Sequence, residues 1–247
     1  MIRYIRRSVV VAVAVLGASV ALSALPALRQ AAPALADRVT ALKQSLQDSQ
    51  LAIRKYEWVE TTSISLKGEE KSRKQQRCYY GADGKVQKIA MGPAAPAPAP
   101  PAPSGGRGGR LKGKVVENKK DEMKDYMEKA ASLIQQYLPP KPEDIQRAKD
   151  AGKVKADTST PGRARLLFSD YIQPGDQFTV DVDAAANRLT GLSVASYIEK
   201  KDDAVTLAVK LGTLADGTSY TAETILDAKA KNIRVVVQNT GHRPVQQ

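Results

Sequence analysis

Residues 163–247 limit what this chain can fold into more than any other stretch, because they read almost without interruption as strand and turn. Val205, Leu207, Val209 and Leu211 alternate with polar or small residues, the period of two that sends every second side chain to one face of a sheet. Phe178, Val180 and Val182 repeat the pattern, as do Leu192, Val194 and Ile198. Turn signals separate the runs: Gln173-Pro174-Gly175-Asp176, Ala184 to Asn187, Lys201-Asp202-Asp203 and Asp216-Gly217. The spacing predicts strands over 166–172, 177–183, 188–199, 205–211, 220–227 and 233–239. Connections this short allow antiparallel pairing only, since parallel neighbours need crossovers of a dozen or more residues.

The first half mixes both periods. Over 37–56, Val39, Leu42, Leu46 and Ile53 fall on one helical stripe, with Lys43, Gln44, Gln47, Asp48 and Arg54 opposite. From Tyr56 the period changes, and Trp58, Thr62, Ile64 and Leu66 alternate as a half-buried strand. Lys67-Gly68-Glu69 turns the chain into a second strand over 71–80, and Gly81-Ala82-Asp83-Gly84 into a third over 85–90. A second helix is predicted over 118–138, on the stripe Met123, Tyr126, Met127, Ala130, Ile134 and Tyr137, stopped by Pro139-Pro140. A short third helix opens at Pro142-Glu143-Asp144 and stops at Gly152. The expected fold class is α+β: about nine antiparallel strands, too many to lie flat, in one curved sheet covered by about three helices.

Residues 1–36 read as an export signal. Arg3, Arg6 and Arg7 precede an apolar run over 8–28, and Ala34-Leu35-Ala36 places small residues at the −3 and −1 positions of a cleavage site. The expected location is therefore the periplasm, with 37–247 as a single domain. The run is also about 20 residues long, enough to span a bilayer, so an uncleaved tether to the inner membrane is the alternative. Residues 92–113 interrupt the domain. Their Pro/Ala repeats predict extended polyproline, and Ser104 to Arg110 a flexible basic segment. Two Gly-Gly-Arg repeats are too few, and an exported setting too poor in RNA, to indicate nucleic-acid binding.

The net charge of +12 is concentrated in the amino-terminal half and the interruption. That distribution suits peripheral contact with anionic surfaces. Cys78 is the one cysteine, so no internal disulfide can form, and its strand-like surroundings predict burial as a small hydrophobe. His242 is the one histidine, near the end of the chain, and is expected to be exposed and inert. No triad or metal set can be built around it. Asp181, Asp183 and Asn187 lack the central glycine and distal glutamate of a calcium loop. Glu57 with Glu60, or Glu69 with Glu70, would be acid–base pairs only if a cleft brought them face to face. A binding protein without cofactor or metal is expected, not an enzyme.

Tyr79-Tyr80-Gly81-Ala82-Asp83-Gly84-Lys85-Val86 and the closing stretch from Asp227-Ala228-Lys229 to Asn239 carry a resemblance. In the order helix, meander, helices, strand series, the chain resembles the outer-membrane lipoprotein carrier superfamily over about 37–245. That resemblance implies a half-open β-barrel closed by a helical lid over an apolar cavity, holding an acyl chain or lipidated peptide as a carrier or envelope sensor. The carriers' lid-locking arginine matches no single position here, so no residue role is transferred. The cavity residues expected from inward alternation are Trp58, Ile64, Leu66, Phe168, Phe178, Val180, Leu207 and Val209, with the first two long helices as lid. The alternative is an envelope scaffold with a filled core, whose basic interruption meets a protein partner or an anionic surface.

Overall fold

The computed structural model describes residues 31–92 and 109–245. The basic start and apolar run of the expected signal, and most of the Pro/Ala/Gly interruption, lie outside the described residues. Helix α1 (Ala31–Ala52) begins on an alanine-rich stretch that tolerates Pro33 in its first turn, and passes through Ala34-Leu35-Ala36. A 3₁₀ turn at Ile53–Lys55 leads into the meander β1 (Tyr56–Leu66), β2 (Glu69–Tyr80) and β3 (Val86–Ala90). Lys67 and Gly68 both have positive φ, 54° and 83°. This pairing makes a two-residue type I′ turn whose twist matches the flanking strands.

Helix α2 (Gly109–Tyr137) starts earlier than the apolar stripe predicts, so the interruption ends before 109 and not at 113. The stretch before 118 has a composition of high helix propensity, which outweighs Gly109 and Gly113. Helix α3 (Pro142–Asp150) has proline at its start, Glu143 and Asp144 in its first turn, and Arg147 and Lys149 in its last, charges that complement the helix dipole.

Ten strands form among the described residues, one more than the nine located along the sequence. The strand missing from the expectation is β4 (Val154–Asp157), four residues with Val154 as the sole large apolar side chain, too short to show a period. It is followed by β5 (Arg163–Ser169), β6 (Gln177–Asp183), β7 (Arg188–Tyr197), β8 (Ala204–Thr213), β9 (Ser219–Ala228) and β10 (Ile233–Pro244). All ten pair antiparallel in one open sheet of order β3-β2-β1-β10-β9-β8-β7-β6-β5-β4. Every neighbour is also a neighbour in sequence except one, where β1 pairs with the last strand. The free edges are β3 and β4.

Register aligns inward-facing residues in rows across the sheet. One row runs Phe168, Phe178, Val194, Leu207, Leu226, Val235, Ile64. The next runs Leu166, Val180, Leu192, Val209, Thr224, Val237, Thr62. The helices lie on this face. Ala130, Leu133, Ile134 and Tyr137 of α2 and Ala148 of α3 join the buried residues of β5–β8 in the main core, against which Leu42 and Leu46 of α1 also pack. A second, smaller core gathers Tyr126 of α2 with Ala228 and Ile233.

A buried carboxylate anchors α2 to the sheet. Asp176, 1% exposed, accepts hydrogen bonds from the backbone N–H of Tyr171 (2.5 Å), Ile172 (2.9 Å) and Gln173 (2.9 Å) and from the Tyr137 hydroxyl. Tyr137 also meets Ser196 Oγ at 2.8 Å. The β5–β6 turn, α2 and β7 are thus fixed by one charged group whose oxygens have donors on every side.

Candidate ligand-binding site

Burial along the first row changes midway. Phe168, Phe178, Val194 and Leu207 are buried in the main core, whereas Leu226, Val235 and Ile64 are half-buried. In the second row Val180, Leu192 and Val209 are buried, while Thr224, Val237 and Thr62, and Leu166 at the β5 end, are half-buried. The helices therefore cover the inner face most closely over β6–β8, α1 also reaching β9 where Ser49 Oγ accepts from the Ser219 N–H, and leave a half-buried apolar strip over β9, β10 and β1. Its floor is about 10 Å wide across three strands and about 13 Å long from Thr62 to Leu66. Met123 and Met127 of α2, both half-buried, border it and pack against the smaller core with Ile64, Leu66 and Val235. Methionine is unbranched and polarisable, so it adapts to apolar ligands of variable shape.

The eight residues expected to line a cavity divide accordingly. Phe168, Phe178, Val180, Leu207 and Val209 come together in the main core, enclosed by neighbours. Ile64 and Leu66 border the strip. Trp58 stands apart from both, stacked on His242 at 5.9 Å and tilted against Tyr80 at 5.7 Å, with its indole N–H donating to Asn239 Oδ1 at 3.1 Å. Leu226, Val235 and Val237 belong to the strip but were not expected. The last two sit in the run Val235-Val236-Val237, where continuous apolarity conceals which face each residue takes.

His242 corrects an expectation. It is half-buried on β10, wedged between Trp58 and Tyr220, whose ring centroid is 4.0 Å away. The last strand runs five residues beyond its expected end at Asn239, to Pro244, because pairing with β1 continues past a bulge to Tyr56. Burial lowers the imidazole pKa below its ordinary value. The Tyr220 ring in turn lies over Gly212, where a Cβ would come within 2.7 Å of it.

The carboxylates considered for chemistry are engaged elsewhere. Glu57 and Glu60 point to opposite faces of β1. Glu57 pairs with Arg77 and Arg243, and Glu60 with Lys88 at 2.6 Å. Glu69 pairs with Lys71, and Glu70 lies 3.9 Å from Arg73. Asp183 Oδ1 accepts from the N–H of Ala185 and Ala186, and Asp181 binds Arg165, so this region is a strand-to-turn junction. Among the described residues no group of three or more His, Cys, Asp or Glu could hold a metal ion.

The other face of the sheet carries two open hollows of about 360 and 830 Å³ that share Gln177, Thr179 and Ser193. Ala195, Ala208 and Ile225 give the smaller an apolar wall, while Lys155, Asp157 and Arg165 give the larger a charged one.

Cys78 lies on the inner face of β2, fully buried. Burial first, then the Glu60 carboxylate, raises its thiol pKa from 9.0 to about 11. The thiolate is the reactive form. At pH 8 the native protein is expected to react with iodoacetamide at least about a hundredfold more slowly than the protein in guanidinium chloride, read by mass spectrometry of the quenched time course. Comparable rates would show Cys78 to be accessible.

No family model matches the chain, and no curated protein matches it. Among solved structures it is similar to a DUF1329 family protein from Desulfovibrio piger, with a TM-score of 0.40 and 13% identity over 83% of this chain and 92% of that one. It is also similar to a LolA superfamily protein from Nitrosomonas europaea, with a TM-score of 0.33 and 9% identity over 81% of this chain and 94% of that one. These likenesses concern the fold alone. What is established of this chain is the architecture: an open antiparallel sheet with helices on one face. No described helix is long and apolar enough to cross a membrane.

Proposed function

We propose that this is an exported binding protein that holds a single acyl chain, free or as part of a lipidated molecule, against the strip over β9, β10 and β1. The change from buried to half-exposed within single rows of the sheet carries this reading. A filled core would bury Leu226, Val235 and Ile64 as completely as Leu207. Aliphatic side chains without hydrogen-bond demands favour a hydrocarbon, and the methionines of α2 allow the roof to adjust. The role is carriage or sensing, not catalysis, and the periplasm is its setting, on the strength of residues 1–36.

The scaffold reading draws on a different observation. Five of the eight expected cavity residues belong to a filled core, so more than half of the inner face needs no ligand.

Titration with a fluorescent monoacylglycerol, whose head group is uncharged, tests the proposal. Saturable one-to-one binding is expected, lost in Val235→Glu, which places a charge in the strip. Absence of binding by the intact protein, or undiminished binding by a folded Val235→Glu variant, would overturn it in favour of the scaffold.

A further inference from the structure

Building on that reading, we propose that the strip takes a phospholipid with an anionic head group, whose phosphate is held at one end by Lys67, Lys229 and Lys231. The β1–β2 turn and the β9–β10 turn meet there. The Lys67 N–H donates to the Asn232 carbonyl at 2.8 Å, and Leu66 pairs with Ile233, which pairs with Ala228. The strip ends against these turns. Lys231 Nζ stands 5.9 Å from the Tyr126 ring centroid, and Tyr126 belongs to the small core on which Ile64, Leu66 and Val235 pack.

None of these three exposed lysines forms an ion pair with the described residues, and two of the three acids near them are paired with other cations, Asp203 keeping its charge. Glu69 binds Lys71, Asp227 binds Arg234 at 2.7 Å, and Asp203 accepts from the Tyr126 hydroxyl at 2.6 Å. Two turns joined by a hydrogen bond thus bring three lysines to one end of the strip. Ammonium groups bind phosphate as point charges with several donors each. The opposite end carries a single such lysine, Lys74 level with Thr62, since Lys88 beyond it is paired with Glu60 at 2.6 Å. An apolar strip with a cationic end matches a molecule with a hydrocarbon tail and a phosphate head. A charged membrane surface alone would make no use of the strip.

The test titrates the intact protein with monomeric short-chain phosphatidylglycerol and with phosphatidylcholine of the same acyl length, read by calorimetry and native mass spectrometry. Phosphatidylglycerol is expected to bind one-to-one and on the order of tenfold more tightly. Combining Lys67→Asn, Lys229→Gln and Lys231→Gln should erase that preference and leave phosphatidylcholine binding unchanged. Asparagine at 67 suits the positive φ there. A control lacking Lys85, Lys149 and Lys155 loses the same net charge and should keep the preference. Equal affinity for the two lipids, a preference that survives the triple substitution, or a preference lost in the control overturns the inference. So does sedimentation with phosphatidylglycerol vesicles without a one-to-one complex, which is surface adsorption only. Failure of both lipids and of the uncharged monoacylglycerol overturns the acyl-binding reading beneath it.

Discussion

Asp176→Ala is expected to be among the most destabilising single substitutions in the protein, costing about 3–5 kcal/mol. The carboxylate gathers three backbone N–H groups and the Tyr137 hydroxyl in a site that water does not reach. Alanine leaves all of these donors, which have lost their hydration, without an acceptor. The cost lies in these stranded partners more than in the lost contact itself. Tyr137 also sits in the main core with Tyr171 and Phe178, so loosening its hydroxyl frees the end of α2. Urea unfolding followed by far-UV circular dichroism reads the effect as a lower midpoint. Asp181→Ala is the control: its partner Arg165 is 61% exposed, and a pair that wet contributes about 0–1 kcal/mol. Equal shifts for the two variants would mean that Asp176 is not the anchor described.

Phe178→Ala and Ile64→Ala test the two halves of one row. Phe178 is 0% exposed, against Phe168 and Tyr171 with ring centroids 5.7 and 5.0 Å away. Its truncation removes transfer free energy and leaves a cavity that the surrounding rings cannot fill, at a cost of about 3–5 kcal/mol. Ile64 lies in the same row but half-exposed, and truncation there is expected to cost about 1 kcal/mol. Acyl affinity should follow the opposite order, with Ile64→Ala weakening the uptake of monoacylglycerol and folded Phe178→Ala leaving it nearly unchanged. A loss above about 3 kcal/mol at Ile64 would place it in a closed core and remove the strip.

Much of the fold was legible because alternation is a local signal. Val205 to Leu211 states its strand without help from the rest of the chain. β4 was not legible, since four residues with one large apolar side chain have no measurable period. The early start of α2 escaped because the stripe that marks a helix shows only where a helix packs. The site was half legible. Ile64 and Leu66 followed from alternation, but nothing local distinguishes Leu207, fully buried, from Leu226 one strand away and half-buried. That difference depends on where α1 and α2 cross the sheet. Asp176 read as a turn residue, which it is. Its larger role depends on Tyr137, 39 residues earlier in the chain, and such pairing has no signature along the sequence.

The pairing of β1 with β10 also governs when this protein can fold. Tyr56 aligns with Pro244, so the meander of β1–β3 joins the main sheet only after nearly the whole chain has been made. Until then β1 has one neighbour, and β2, with Glu69, Glu70, Lys71, Arg73 and Lys74, offers it little apolar cover. Contacts this distant in sequence slow folding, because a long loop must close before they contribute. Under the proposed export, a chain that crosses the membrane unfolded would gain from that delay. Strands β1–β3 become fixed in the main sheet only when the last strand arrives.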